Sequence, residues 1–104
     1  MKPSLKKKWI ERLETGKKAR NKLRANNGGR CCLGHLIDII DPNGWYQREE
    51  GIRKKWFYNG DPNILDSGTL HKVGMTMIEM DSLIKLNDHT PGFDEVIKRI
   101  ERMK

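Results

Sequence analysis

Residues 28–40 read GGRCCLGHLIDII: a glycine-rich turn gives way at once to an apolar run, and the chain's only two cysteines stand side by side at the junction. Asn26-Asn27-Gly28-Gly29 is the strongest turn signal in the sequence, because Asn and Gly take positive φ at low steric cost. Leu33, Leu36, Ile37 and Ile40 then recur at helical spacing, and Asp41-Pro42-Asn43-Gly44 supplies a stop. The pattern predicts a short buried helix entered from a tight turn. A short hairpin is expected around that turn, with residues 21–25 on one side and 30–32 on the other.

Adjacent cysteines admit several roles. As metal ligands, Cys32 and His35 have a workable i, i+3 spacing that His71, His89 or a carboxylate would complete. Zinc sites, however, favour Cys-x-x-Cys pairs, and neighbours on a strand point to opposite faces. As a nucleophile, Cys32 near a helix start has His35 as a candidate base, but no orienting third group is legible. A vicinal disulfide would strain its ring. Packing is the remaining reading: cysteine is a small, often buried hydrophobe, and Gly34 beside it lets the helix approach another element closely. No metal, cofactor or catalytic residue is assigned. A thiol- or metal-dependent enzyme using Cys32 and His35 stays as an alternative.

Charge is unevenly placed. Residues 1–30 carry eleven basic and two acidic side chains, a net +9, whereas residues 31–104 carry ten basic and twelve acidic, a net −2, for +7 in all. Lys18, Arg20, Lys22 and Arg24 would share one face of a strand, where four like charges repel unless an anion lies between them. Lys17, Lys18, Arg20, Lys22, Arg24 and Arg30, with a backbone anion nest at Gly28 and Gly29, are therefore the candidate ligand-binding residues. Trp45, Trp56 and Tyr58 stand among charged residues and are candidate base-stacking groups. Their competing role is a buried strand face. The opposite reading of the basic segment is a solvated arm that keeps a small protein soluble. Phosphate-binding loops of the GxxxxGK[ST] and GxGxxG types are absent.

With 104 residues, 36% of them apolar, the chain has room for one domain with a modest core, taken here as 1–104 with a basic 1–30 segment and a core at 31–104. Ser4 is expected to cap a first helix bearing Leu5, Trp9, Ile10 and Leu13, with Gly16 as its stop. Residues 55–59 read as a strand before a turn at Asn59-Gly60-Asp61-Pro62, and residues 46–55 as a loop or a hairpin arm. Thr76 and Glu79 fit a capping box, with Met77, Met80, Leu83, Ile84 and Asn87 on one side of the helix that follows. After a break at residues 87–92, Phe93, Val96, Ile97, Ile100 and Met103 mark a last amphipathic helix. The expected fold is small α+β: an N-terminal helix, a short antiparallel hairpin, a central buried helix and a C-terminal helical hairpin.

The stretches WIERLETGK, CCLGHLIDI and LIKLNDHTPGFDEVIKRIE, with a basic glycine-containing turn between the first two, resemble a group of small phage- and prophage-encoded proteins. That group shows Trp-x-x-x-Leu, a Gly-Lys step, Cys-Cys-Leu-Gly and a closing Leu-Asn-Asp before a Phe-led helix. The likeness covers both ends and the centre-left of the chain. Its most specific parts are Cys31-Cys32-Leu33-Gly34 and Leu86-Asn87-Asp88. The chain departs in carrying His35 where an aliphatic residue is common, and in the long basic stretch at 17–30. The resemblance implies a phage accessory protein with a mixed α+β fold, and it carries over no catalytic residue.

The expected function is a non-enzymatic, anti-defence type of protein whose basic first third binds nucleic acid or sequesters a nucleotide second messenger. The alternative is a protein-binding inhibitor of a host defence complex such as a CRISPR effector. No apolar core follows the basic start, so no leader or membrane partner is expected, and the bacterial cytoplasm is the expected compartment. So lean a core also suits a homo-oligomer.

Overall fold

Trp9 of the first helix and Cys32 of the second mark the centre of the molecule: the Trp9 indole Nε1–H donates to the Cys32 carbonyl at 2.8 Å, and both residues are fully buried. The computed structural model describes residues 1–104. Its elements are α1 (Pro3–Thr15), α2 (Cys32–Ile40), β1 (Tyr46–Glu50), β2 (Arg53–Phe57), α3 (Ser67–Val73), α4 (Met77–His89) and α5 (Asp94–Glu101). The fold is small α+β, and no helix is long and apolar enough to cross a membrane.

α1 starts at Pro3, whose fixed φ suits a first helical position, so Lys2 and not Ser4 is the N-cap and no side chain caps the helix. Trp9 and Leu13 turn inward. The helix stops at Gly16 in extended conformation. α2 is the expected buried helix. Cys31 is its N-cap, the Sγ accepting the Gly34 N–H at 3.4 Å. α1 and α4 flank α2, and α5 packs on both α1 and α4, so four helices enclose one core. Gly34 is where that enclosure is tightest. A Cβ there would collide with the Leu23 carbonyl oxygen, so only glycine lets α2 lie against the incoming chain.

The chain between α1 and α2 forms no regular hairpin. The expected ladder is reduced to isolated bridges, Arg24 with Arg30 antiparallel and Lys18 with Arg30 parallel. The Asn26–Gly29 turn itself forms, with the Ala25 N–H donating to the Gly29 carbonyl at 2.8 Å. The strand fails because the segment bonds to distant parts of the chain: Leu23 N–H donates to the Pro62 carbonyl, and the Asn21 N–H to Asp88 Oδ1 at 3.0 Å with φ of +62° at Asn21. Ala19 and Leu23 are buried. The division into a basic 1–30 segment and a core at 31–104 is thereby corrected, since Trp9, Leu13 and Leu23 belong to the core.

The only sheet is the β1–β2 ribbon, with Tyr46 opposite Phe57 and Glu50 opposite Arg53. Its strand β2 thus begins before the expected residue 55. Gly51 and Ile52 make the two-residue connection, and Gly51 takes φ of +64°, the positive value that the first position of a type II′ hairpin turn requires. The expected turn at Asn59-Gly60 closes with mutual hydrogen bonds between Tyr58 and Asp61.

α3 has no counterpart in the sequence reading. Asp66 caps it, accepting the Thr69 N–H at 3.2 Å, and Gly74 ends it in the left-handed region. α4 carries the full Thr76–Glu79 capping box. Met80, Leu83 and Asn87 face the core, but Met77 is 63% exposed although Met75 and Met80 on either side of it are buried. Val96, Ile100, Phe93 and Met103 are buried as spaced. At the C-terminal end of α5, Lys6 Nζ donates to the Met103 carbonyl, a cation placed where the helix dipole is negative.

Candidate nucleic-acid interface

Of twenty-one basic side chains, only Arg12, Arg30, Lys55 and Lys98 are ion-paired, so most of the positive charge has no internal counterion. The expected ligand-binding residues do not, however, share one face. Lys17 Nζ donates to the Asn27 carbonyl at 3.0 Å. Lys18 Nζ reaches the Thr90 and Gly92 carbonyls at 2.5 and 2.6 Å and lies 5.6 Å from the Phe93 ring centre. Burial, then the Arg20 charge, lowers the Lys18 pKa. Arg20 adds a bond to the Thr90 carbonyl at 3.2 Å. These cations tie the first third of the chain to the α4–α5 connection.

The anion nest at Gly28 and Gly29 is also corrected. The Gly28 N–H donates to the Ala25 carbonyl at 3.3 Å and the Gly29 N–H to Asn27 Oδ1 at 2.9 Å, so the turn itself uses both amides. Arg30 turns to Asp38. That carboxylate also accepts from Arg12 at 2.6 Å and from the Trp45 indole N–H at 2.7 Å, joining α1, α2 and the root of the ribbon.

Arg24, half-buried, packs on the ribbon instead. Its guanidinium lies 3.5 Å from the ring centre of Trp56 and 5.5 Å from that of Trp45, a cation–π arrangement in which Nε is buried with no hydrogen-bond partner. Beside it, Asn26 Nδ2 donates to the Lys54 carbonyl at 3.0 Å, which fastens the basic turn to the ribbon. Lys54 continues the positive charge on the Trp56 face of the ribbon, whereas Arg48, Lys55 and Arg53 lie on the opposite face, Arg48 5.2 Å from the Phe57 ring centre. The sequence reading did not place these ribbon residues in a site. Their signal was a glycine inside the charged stretch EEGIRKK, the mark of a hairpin turn.

Trp45, Trp56 and Tyr58 do cluster, edge to face, with Trp45 centred 6.3 Å from Trp56 and 6.0 Å from Tyr58. Tyr58 is buried and its hydroxyl donates to Asp41 Oδ2 at 2.9 Å, which burial and that bond reflect in a phenol pushed up to about 12. A base cannot reach its ring. Trp56 has one face taken by Arg24.

The cysteines pack. Cys31 and Cys32 are free thiols and both are buried. Burial pushes Cys31 up to about 11, and burial, then Cys31, pushes Cys32 well above its usual value, so neither is primed as a thiolate. Cys32 and His35 form no dyad: His35 Nδ1 accepts from Arg12 Nε at 3.2 Å, and Nε2 lies 2.9 Å from the Lys17 carbonyl, to which it donates. A cavity of about 180 Å³ lies between Cys31, Cys32, Asn87, Asp88, Lys22 and Ile64, and it touches the basic segment only at Asn21 and Lys22.

Comparison with protein-family models, with curated proteins and with solved structures returns no match for this chain.

Proposed function

We propose that the protein is a non-enzymatic binder of nucleic acid, and that its contact surface is the strip formed by Arg24, the Asn26–Gly29 turn and the basic β1–β2 ribbon. The observation that carries this reading is the joint between them: Asn26 bonded to the Lys54 carbonyl, with Arg24 laid on Trp56. It brings two basic segments, far apart in sequence, side by side, with Lys54 on the face of the ribbon that Arg24 covers and Arg48, Lys55 and Arg53 on the other. The strip is open, which suits an extended polymer of phosphates better than a single enclosed nucleotide. Inside an infected bacterial cell, the setting the phage resemblance implies, such a protein would occupy nucleic acid that a host defence system uses.

Binding to duplex and single-stranded oligonucleotides over a salt series tests this. The logarithm of the association constant should fall with the logarithm of salt with a slope of about −3 to −4 for four phosphate contacts. No binding at low salt, or a response flat in salt, overturns the reading. Cyclic oligonucleotides belong in the same series, since tight, salt-insensitive capture of one of them would select the sequestered messenger instead.

A protein-binding inhibitor is the second reading, favoured by one observation: Met77 and Ile78 are 63% and 80% exposed on the first turn of α4. A stoichiometric partner that survives nuclease treatment of a host lysate, and is lost with Met77→Ser/Ile78→Ser, would support it.

A further inference from the structure

Ile52 stands at the tip of the ribbon with its side chain fully exposed. Hairpin connections of two residues are ordinarily filled by Asn, Asp, Gly or Ser, and Gly51 alone supplies the positive φ that this turn needs. A branched apolar side chain at the second position therefore contributes nothing to the turn. The tip is also unsupported: all of β1 is exposed, as are Arg53 and Lys54, while the covered residues Trp56 and Phe57 lie at the root.

Around this apolar tip the ribbon is cationic. Arg48, Arg53, Lys54 and Lys55 face two carboxylates, Glu49 and Glu50. Glu50 lies 3.8 Å from Lys55 and stands opposite Arg53 in the register, Glu49 stands opposite Lys54, and Arg48 lies 5.2 Å from the Phe57 ring centre, so four cations against two carboxylates leave the ribbon at +2. An exposed apolar group at the tip of a ribbon of net charge +2 matches a duplex, in which two rails of phosphate flank a stack of apolar base faces.

Resting on the nucleic-acid reading above, we infer that the ribbon is a bending arm for double-stranded DNA, with Ile52 as a wedge that enters a base step from the minor groove while Arg48 and Arg53 hold the flanking phosphates. The minor groove, about 6 Å wide, is too narrow for the ribbon as it stands. Apolar wedges of this kind open the groove, part the step and bend the duplex toward the major groove. Flexible pyrimidine–purine steps such as TA are the easiest to open, so they are the preferred target.

The test uses the full chain and a duplex of about 30 base pairs with a central TA step, long enough to report a bend. A 2-aminopurine beside the step reads unstacking, and donor and acceptor dyes at the ends read bending. Wild type should brighten the 2-aminopurine and bring the ends together. Ile52→Ala should bind with the same salt slope and lose both signals; Ile52→Phe should keep them. Because Ile52 touches nothing in the fold, neither substitution disturbs folding. Binding by wild type without either signal, or Ile52→Ala that retains both, overturns the wedge and leaves the nucleic-acid reading in place. Failure to bind any nucleic acid at low salt overturns both. Self-association abolished by Ile52→Ala, without any distortion of DNA, would assign the tip to a second copy of the chain and overturn the wedge.

Discussion

Asn87 on α4 accepts the backbone N–H of Cys32 at 2.9 Å, and the same side chain donates from Nδ2 to the Ala19 carbonyl at 3.0 Å. One buried amide thus satisfies the first turn of α2 and the irregular segment that precedes it. Two stretches singled out by the resemblance, Cys31-Cys32-Leu33-Gly34 and Leu86-Asn87-Asp88, meet at this contact. Asn87→Ala leaves a buried donor and a buried acceptor unpaired and should cost about 2–4 kcal/mol, read as a lower urea midpoint with the slope unchanged. Asn87→Asp keeps the acceptor for Cys32 but faces the Ala19 carbonyl and Asp88 with a carboxylate, and it should also destabilise.

The two cysteines should separate by position. Cys31 is an N-cap, so Cys31→Ser supplies a better capping atom and should change stability by no more than about 1 kcal/mol. Cys32 is packed among core side chains with no exposed surface, and Cys32→Ser should cost about 2–3 kcal/mol by burying a hydroxyl. In the folded wild type neither thiol should react with iodoacetamide near neutral pH, and labelling should track unfolding in urea. Rapid labelling of the native protein would contradict the buried, protonated thiols described here.

His35 should set a pH dependence. Burial chiefly, with the Arg12 charge, holds its pKa below the ordinary 6.5 against the opposing pull of the Lys17 carbonyl. Below that ordinary value the unfolded state takes up a proton that the folded state refuses. Stability is therefore fully present above pH 6.5 and is lost as pH falls through the lowered folded value. His35→Gln should flatten the fall below pH 6.5, measured as urea midpoints. A wild-type midpoint that rises on acidification would contradict this sign.

The basic residues divide into inward and outward groups, and substitution should separate them. Lys18→Ala removes two bonds to the α4–α5 connection and should cost about 1 kcal/mol of stability with little effect on nucleic-acid affinity. Arg48→Gln and Arg53→Gln should leave the melting temperature unchanged and each reduce the salt slope by about 1. Equal losses of affinity from all three would contradict the division.

Elements built from near neighbours were legible. The Thr76–Glu79 box, the Asn59-Gly60 turn and the spacing of Val96 and Ile100 each depend on contacts within a few residues, and sequence carries that information directly. The short α3 was not, because Ser67–Val73 is too brief for an apolar period; its signals were the Asp66 cap and Gly74 at the end. The alternation at Lys18, Arg20, Lys22 and Arg24 misled because its meaning is set elsewhere. Lys18 is held by Thr90 and Gly92, more than seventy residues away, and Arg24 by Trp56. Period two describes a strand only where a partner strand exists.

Asp38 gives the ribbon a stiff mounting. Through this one carboxylate Trp45 is linked to Arg12 on α1 and to Arg30 before α2, so the root of the ribbon is fastened to the helices while the exposed tip at position 52 projects beyond it. A spin label placed at the tip should therefore move more freely than one at the root, and loosening that mounting with Asp38→Asn should free the root as well while the helices stay put.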